Sequence, residues 1–526
     1  MASLTLGSLV VLSWSAVPLG VPGEWTWARR TLGDLDPNAL LGSVVLAVTY
    51  WFWACGRERR IARFPWTGPG DPRRVSQYES WIVASQCVAA FVWMAGSLAI
   101  QPEMQGLTRS ATVLYYKRTE GYFHQAAFEV RDSREFLSGY RDEIANGDAP
   151  DRYLHLGTHP PGLTLAYRGL LVGFERYPRV AEALIAIEPS AFREGIEVLR
   201  QFPTPRGQLL TPAEEATLWA ATLLTLLAVA GACWPIYRLT LRMSDRVTAW
   251  RAAALWPLVP SVFVFFPKSD LLCPVIGLTS CWLWLDGWSR LRWGRCVLAG
   301  AGFFAGMLLT LALAPVALLL VIQTVLERGT RREEFRDRRV ATEVGAVGAA
   351  VLGFLIPLGV VLMWGGANLF AIWMQNLSNH ALFYAHHSRS FGAWLAVNPV
   401  EAAFALGMPL ACLVVVGALR GVRQRLVSPR AFSHTIAWGS VWAILWLSGK
   451  NMGEAARLWI FLAPWPVMTA AMGLSRRGVA TSGVSTLDEV ECQSIWKWML
   501  ALQLVACLWT SMSVDGFHFA ELLGLK

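Results

Sequence analysis

The segment GLTLAYRGLLVGFERYP, residues 162–178, decides how the fold is read. It has the apolar look of a membrane helix, yet it is short and carries Arg168, Glu175 and Arg176. Charges at mid-bilayer are costly, so the segment reads as an interfacial or partly inserted helix. Were it to cross, every later loop would change sides. With it lying at the surface and the N-terminus cytoplasmic, the strongly basic short loops all share one side. These are Arg57–Arg74, Arg238–Arg251, Arg290–Arg295, Arg328–Arg339, Arg420–Arg430 and Arg476–Arg477. That is the positive-inside pattern.

Working outward, a helix needs about 20 mostly apolar residues to cross a bilayer. Runs of that kind recur at 4–21, 39–55, 81–100, 216–236, 252–267, 271–287, 296–311, 313–327, 343–363, 397–419, 433–448, 458–473 and 496–513. The expected fold is an all-α polytopic membrane protein of about thirteen transmembrane helices with a large outer loop of interfacial helices. It divides into N-terminal helices (1–100), the outer segment (101–215) and the remaining helices (216–526), with outer loops at 268–270, 365–397 and 449–457. The first run lacks a basic leader and reads as a retained helix.

Composition agrees. Of 526 residues, 54% are hydrophobic and 16% charged, against about 25% charged in soluble domains. The 27 tryptophans suit membrane–water interfaces. The net charge of +9 sits in short loops between apolar runs, which excludes a nucleic-acid footprint. No CxxC occurs, and most cysteines fall in apolar runs as packing residues.

The polar clusters converge on the outer side. In YYKRTEGYFHQAAF (115–128), Glu120 could act as a general base toward an acceptor hydroxyl, or simply pair with Lys117 or Arg118; Tyr122 and His124 follow as substrate contacts. In Thr158-His159-Pro160-Pro161-Gly162 the two prolines hold His159 rigidly at a helix start, a place that favours phosphate; a purely structural helix start is the alternative. PSVFVFFPKSDLLCP (260–274) exposes Lys268 and Asp270 at a tight helical turn. NLSNHALFYAHHSRSFGAWLAVNP (376–399) gathers His380, His386, His387 and Arg389 among aromatic residues; its NLS sequon at Asn376 carries little weight. SGKNMGEAARLWIFLAPW (448–465) offers Lys450, Glu454 and Arg457 at the mouth of a helix, where basic side chains can bind a lipid phosphate or snorkel at the interface. The HxxxxxHH spacing matches no metal signature.

TEGYFHQA followed by HLGTHPPG resembles the GT-C class of membrane glycosyltransferases, which includes the protein O-mannosyltransferases and the aminoarabinose–lipid A transferases. That class carries an acidic signature in the first large outer loop and a short His-Pro-Pro or Tyr-Pro-Pro motif at the next helix. Here Thr119 stands where the first acid commonly sits, and Glu120 matches the second, so the acidic pair is incomplete and a divalent metal is left undecided. The resemblance covers residues 111–178 well and 250–465 loosely. It implies a polyprenyl-phosphate sugar donor held among membrane lipid, an acceptor of unassigned kind and transfer with inversion at the outer face of a cell inner membrane. Glu120 and Asp270 would be the catalytic carboxylates. His159, Lys268, Arg389, Lys450 and Arg457 would hold the phosphate, and Tyr122, His124, His380 and Glu454 the substrate. A multi-span transporter or flippase is the competing reading; it calls for charges within spans and two related halves.

Overall fold

The computed structural model describes residues 1–14, 16–30, 36–64, 72–101, 105–145, 154–331, 340–475 and 489–516. Parts of the basic loops at 57–74 and 328–339, the pair Arg476–Arg477 and the side chain of His386 lie outside the described residues. Among the described residues the chain is mainly α-helical, and the strands are two-residue and three-residue pieces. Eight described helices are long and apolar enough to cross a membrane: Pro37–Arg63, Ser76–Ala99, Pro212–Met243, Arg246–Val264, Ser269–Arg290, Leu313–Thr330, Val340–Gly365 and Gln493–Ser513. A bent pair, Phe391–Leu406 with Met408–Arg423, makes a ninth if it is one span. The protein is a multi-pass, all-α membrane protein.

Each run expected as a span is helical in whole or part, but several stop short of a crossing. Ala2–Ser13 has 12 residues, about 18 Å at 1.5 Å per residue, well under a hydrocarbon core of about 30 Å. Proline explains another case. The run 458–473 is divided into Ala455–Leu458, a set of turns and Pro464–Gly473. The bent pair turns through 108° at Gly407, whose φ of +87° is open to glycine at no steric cost. Gln503 meets the backbone groups that this break frees. Its Nε2 donates to the Leu406 and Leu258 carbonyls, both at 2.8 Å, and its Oε1 accepts from Leu410 N at 3.3 Å. Satisfying freed backbone groups internally is what lets a broken helix persist in an apolar bundle.

Two segments differ in kind from the expectation. Residues 365–397, expected as a loop, are mostly the helix Leu369–His386 followed by the start of Phe391–Leu406. Near the N-terminus, Gly20–Val21 pairs with Trp25–Thr26, and Ala28–Arg29 pairs with Val514–Gly516. The deciding segment is the helix Gly162–Arg176, which is shorter than any candidate span. It packs closely on the end of Trp293–Leu309: a Cβ on Gly162 would sit 2.3 Å from the Leu308 carbonyl oxygen.

The large core joins the long helices around Trp93, Trp250, Trp256, Trp465 and Trp496. A second core lies beneath the outer segment, around Phe123, Tyr167, Phe192 and Trp219. The helix Arg246–Val264 sets a molecular axis. Arg251, near its start, pairs with Glu58 and reaches Leu474 O. Lys268 and Asp270 follow its other end. The described basic residues at 57–63, 242–251, 290–295 and 420–425 lie toward the first end and the candidate site lies at the second.

Candidate functional site

The site is built where two turns dock on each other. The turn after the helix Gly106–Tyr115 depends on Gly121, with φ +83°. A Cβ there would stand 2.9 Å from both Lys117 O and a Leu156 methyl. Thr119 is turned inward, its Oγ1 2.5 Å from Val113 O and 2.8 Å from Tyr116 O. It closes the helix end, and no second acid stands in its place. The turn at Lys268–Asp270 meets this one reciprocally. Lys268 Nζ donates to Thr119 O, and Ser269 N donates to Glu120 Oε1 at 2.7 Å.

Glu120 is 3% exposed. Its Oε2 has no hydrogen-bond partner among the described residues. Burial raises its carboxyl above the ordinary value, with Lys268 and the Ser269 N–H opposing. Burial also pulls the Lys268 ammonium down, to about 8, helped by Arg457 and opposed by Glu120 and Asp270. A desolvated acid and base thus face each other, each limiting the other's shift.

Asp270 is differently placed. With His159, Ser269, Leu163, Leu272 and Thr310 it lines a small cavity between the Thr158–Gly162 turn and the helix ends near 310. Arg457 Nε lies 4.0 Å from Asp270 Oδ2, and its NH2 lies 2.7 Å from Glu454 Oε2. Burial alone would lower the Arg457 guanidinium; Glu454 and Asp270 outweigh it and raise it. Glu454 adopts φ +56°, uncommon for a residue with a Cβ, and this brings its carboxylate within 3.6 Å of Arg389 as well. Arg389 also donates to Met452 O and lies over Trp394. Tyr122 joins this set: its ring is 5.8 Å from that of His159, and burial, then the nearby carboxylates Glu120 and Asp270, raise its hydroxyl above the ordinary value.

The sequence-derived residues therefore divide. Glu120, Tyr122, His159, Lys268, Asp270, Arg389, Glu454 and Arg457 come together. His380 and Lys450 flank them. His124 does not join; it points into the aromatic set of Tyr115 and Phe128, with Nε2 4.0 Å from Glu129. It follows the left-handed Gly121, which sends the chain away from the cavity. His387 is exposed. Asn376, the sequon residue, is fully buried, and its amide donates to Gly157 O and His159 O.

Sequence reading missed the side chains that hold this arrangement. Glu401 lies inside an expected span, yet its Oε1 accepts from Trp27 Nε1 and from Ala456 N, both at 3.1 Å, fixing the turn that carries Arg457. A carboxylate within an apolar run was the available signal. Glu24 accepts from Ser390 N and, at 2.7 Å, from Trp394 Nε1, anchoring the segment next to Arg389.

Among the described residues, no group of three or more His, Cys, Asp or Glu side chains converges as metal ligands would. The two carboxylates nearest the cavity are instead faced by Lys268 and Arg457. Ammonium and guanidinium groups beside the carboxylates suit an ion-pair network better than a divalent cation.

No model of a known protein family matches the chain, and no curated protein matches it. Solved structures with some likeness include the archaeal oligosaccharyltransferase AglB from Archaeoglobus fulgidus in complex with an inhibitory peptide and a dolichol-phosphate. Its TM-score is 0.43 at 11% identity, over 84% of this chain and 57% of that one. The Archaeoglobus fulgidus oligosaccharyltransferase tethered to an acceptor peptide containing the NVT sequon gives 0.42 at 12% identity, over 84% and 56%. The chain spans little more than half the length of these proteins, and a likeness this distant assigns neither substrate nor residue.

Proposed function

We propose that the protein is a membrane glycosyltransferase that moves a sugar from a polyprenyl-phosphate-linked donor to an acceptor hydroxyl. The observation that supports this reading is the cluster of polar side chains at one end of the helical bundle, where Asp270 and His159 line one small cavity and Arg457 lies against Asp270. Asp270 takes the proton from the acceptor O–H. The acceptor oxygen attacks the anomeric carbon from the face opposite the phosphate. The anomeric C–O bond breaks, and the phosphate leaves with the bonding electrons. Cationic side chains stabilise its charge in place of a general acid. One displacement gives inversion.

Burial separates the two carboxylates. Glu120 lies behind Ser269 and holds the Lys268–Asp270 turn, whereas Asp270 faces the cavity; the base is therefore assigned to Asp270 and the supporting role to Glu120. The test is transfer of labelled sugar from polyprenyl-phosphate hexoses by the purified protein supplied with membrane extract. Asp270→Asn is expected to lose about 100-fold or more of the rate while keeping its thermal midpoint. A folded Asp270→Asn variant at full rate would sink the assignment, and wild-type protein inactive with every donor would sink the transferase reading.

A further inference from the structure

Far from the candidate site, the spans Pro37–Arg63 and Ser76–Ala99 pack antiparallel and meet at both ends. At one end the approach is close: a Cβ on Gly42 would lie 3.1 Å from Ile100, and one on Gly96 would lie 3.0 Å from Leu46. At the other end the rings of Phe64 and Tyr78 stack with centres 4.1 Å apart. Between these contacts the helices part around a groove of about 470 Å³, a size typical of small-molecule sites. Leu46 and Trp53 line it from one helix, and Trp81, Ala84, Val88 and Val92 from the other. Trp81 is 74% and Val88 63% exposed, so the groove opens to the side of the bundle.

Its walls suit a hydrocarbon chain. The three hydroxyls among the lining residues are spent on protein groups. Thr49 Oγ1 donates to Val45 O and Ser85 Oγ to Ile82 O, both at 2.8 Å and within their own helices. Tyr50 Oη donates to Ala254 O at 2.8 Å and accepts from Gln86 Nε2. From Trp81 to Val92 the groove runs about 16 Å at 1.5 Å per residue. That is about half of a hydrocarbon core of about 30 Å, the depth of one leaflet.

The mouth of the groove is polar and positive. Trp53 and Trp81 stand there, as tryptophan does where bilayer meets water. The Trp53 indole N–H has no acceptor among the described residues. One turn further on, the Arg57 guanidinium lies over the Trp53 ring, 4.6 Å from its centre. Arg59, Arg60 and Arg63 follow and are exposed. The acids nearby are already taken, Glu58 by Arg251 and Glu79 by Arg238. Among the described residues no carboxylate pairs with Arg57, Arg59, Arg60 or Arg63, so this end attracts an anion.

We propose that the groove binds one acyl chain of an anionic diacyl phospholipid from the leaflet at the basic end, with the phosphate at Arg57 and an ester oxygen accepting from Trp53 Nε1. The donor of the transferase reading would carry its phosphate at the opposite end of the helices. The two lipids are therefore distinct, and this inference stands whether or not that reading does.

The experiment is native mass spectrometry of the full-length protein released from detergent micelles. The probes are dioleoyl phosphatidylglycerol and dioleoyl phosphatidylcholine, which share their chains and differ in charge. Wild-type protein is expected to hold one phosphatidylglycerol about tenfold more tightly than phosphatidylcholine, since each basic side chain at a membrane surface favours an anionic lipid by about fivefold. Arg57→Gln is expected to weaken phosphatidylglycerol binding about fivefold and leave phosphatidylcholine unchanged. Ala84→Trp, at an exposed position on the wall, fills the groove and is expected to abolish the tightly held lipid. Equal binding of the two lipids to wild-type protein overturns the proposal, as does undiminished binding in a folded Ala84→Trp variant. Should Ala84→Trp fail to fold, Arg57→Gln still decides: unchanged phosphatidylglycerol affinity overturns the placement of the phosphate. A lipid-free dimer of the wild-type protein would make a second copy the occupant and overturn it as well.

Discussion

At the scale of single residues, the two most deeply buried charges of the site, Glu120 and Lys268, tolerate loss better together than singly. Glu120 and Lys268 are both buried and hold each other's shifts in check. Removing one leaves the other desolvated with less compensating charge, which destabilises the folded state. Glu120→Gln and Lys268→Met are thus each expected to lower the thermal midpoint clearly in detergent, and the double substitution to lower it by less than the sum of the two. Additive losses in this cycle would show that the two groups do not interact. The sequence made both residues visible as polar islands between apolar runs. It did not distinguish the carboxylate that faces the cavity from the one behind it, because that distinction depends on how the 268–270 turn seats on Thr119 and Gly121. Thr119 was legible as a departure from an acidic pair, while its role as a helix closure needed the Val113 and Tyr116 carbonyls in place.

At the scale of elements, hydropathy found the long helices, since apolar length is the property it measures. It missed the helix Leu369–His386, whose Gln, Asn and His residues read as a loop. Asn376 and Asn379 are fully buried and face protein rather than water. Asn379 donates to Ile144 O and Gly157 O, at 2.8 and 2.9 Å, and Asn376 to the neighbouring carbonyls. Tyr140 adds a third hold, its hydroxyl 2.7 Å from His159 O. The helix is a clamp on the turn that carries His159. Asn376→Leu leaves buried carbonyls short of a donor, at about 1–3 kcal/mol. The expected result is a lower thermal midpoint and easier proteolysis within 154–162, read by mass spectrometry of the fragments. Unchanged protection of that segment would remove the clamp. The break at Gly407 was equally hidden. Its glycine is one among many in the sequence, and its meaning comes from Gln503, nearly a hundred residues later.

At the scale of the whole molecule, the basic residues and the candidate site occupy opposite ends of the long helices. The buried pairs Arg251–Glu58 and Arg242–Glu327 tie the first end together, and the Glu120–Asp270–Arg457 network organises the second. This separation gives the positive-inside expectation a direct test. Leu209, 64% exposed, lies on the site side, and Leu426, 93% exposed, on the basic side. In a background with native cysteines replaced, Leu209→Cys in intact cells is expected to react with an impermeant maleimide, and Leu426→Cys only after permeabilisation. The reverse pattern would place the site at the cytoplasmic face and exclude an outer-face donor.

The pairing of Ala28–Arg29 with Val514–Gly516 also sets an order of events. Arg30 and Arg109 both reach Asp515, and Arg109 in turn holds Val264 O and Phe266 O, just before Lys268. A ribosome delivers Arg30 and Arg109 early and Asp515 hundreds of residues later. The carboxylate that joins these two arginines beside the 268–270 turn is therefore made after both of them and after that turn, so a nascent chain carries every candidate catalytic residue before it carries the strand that braces them.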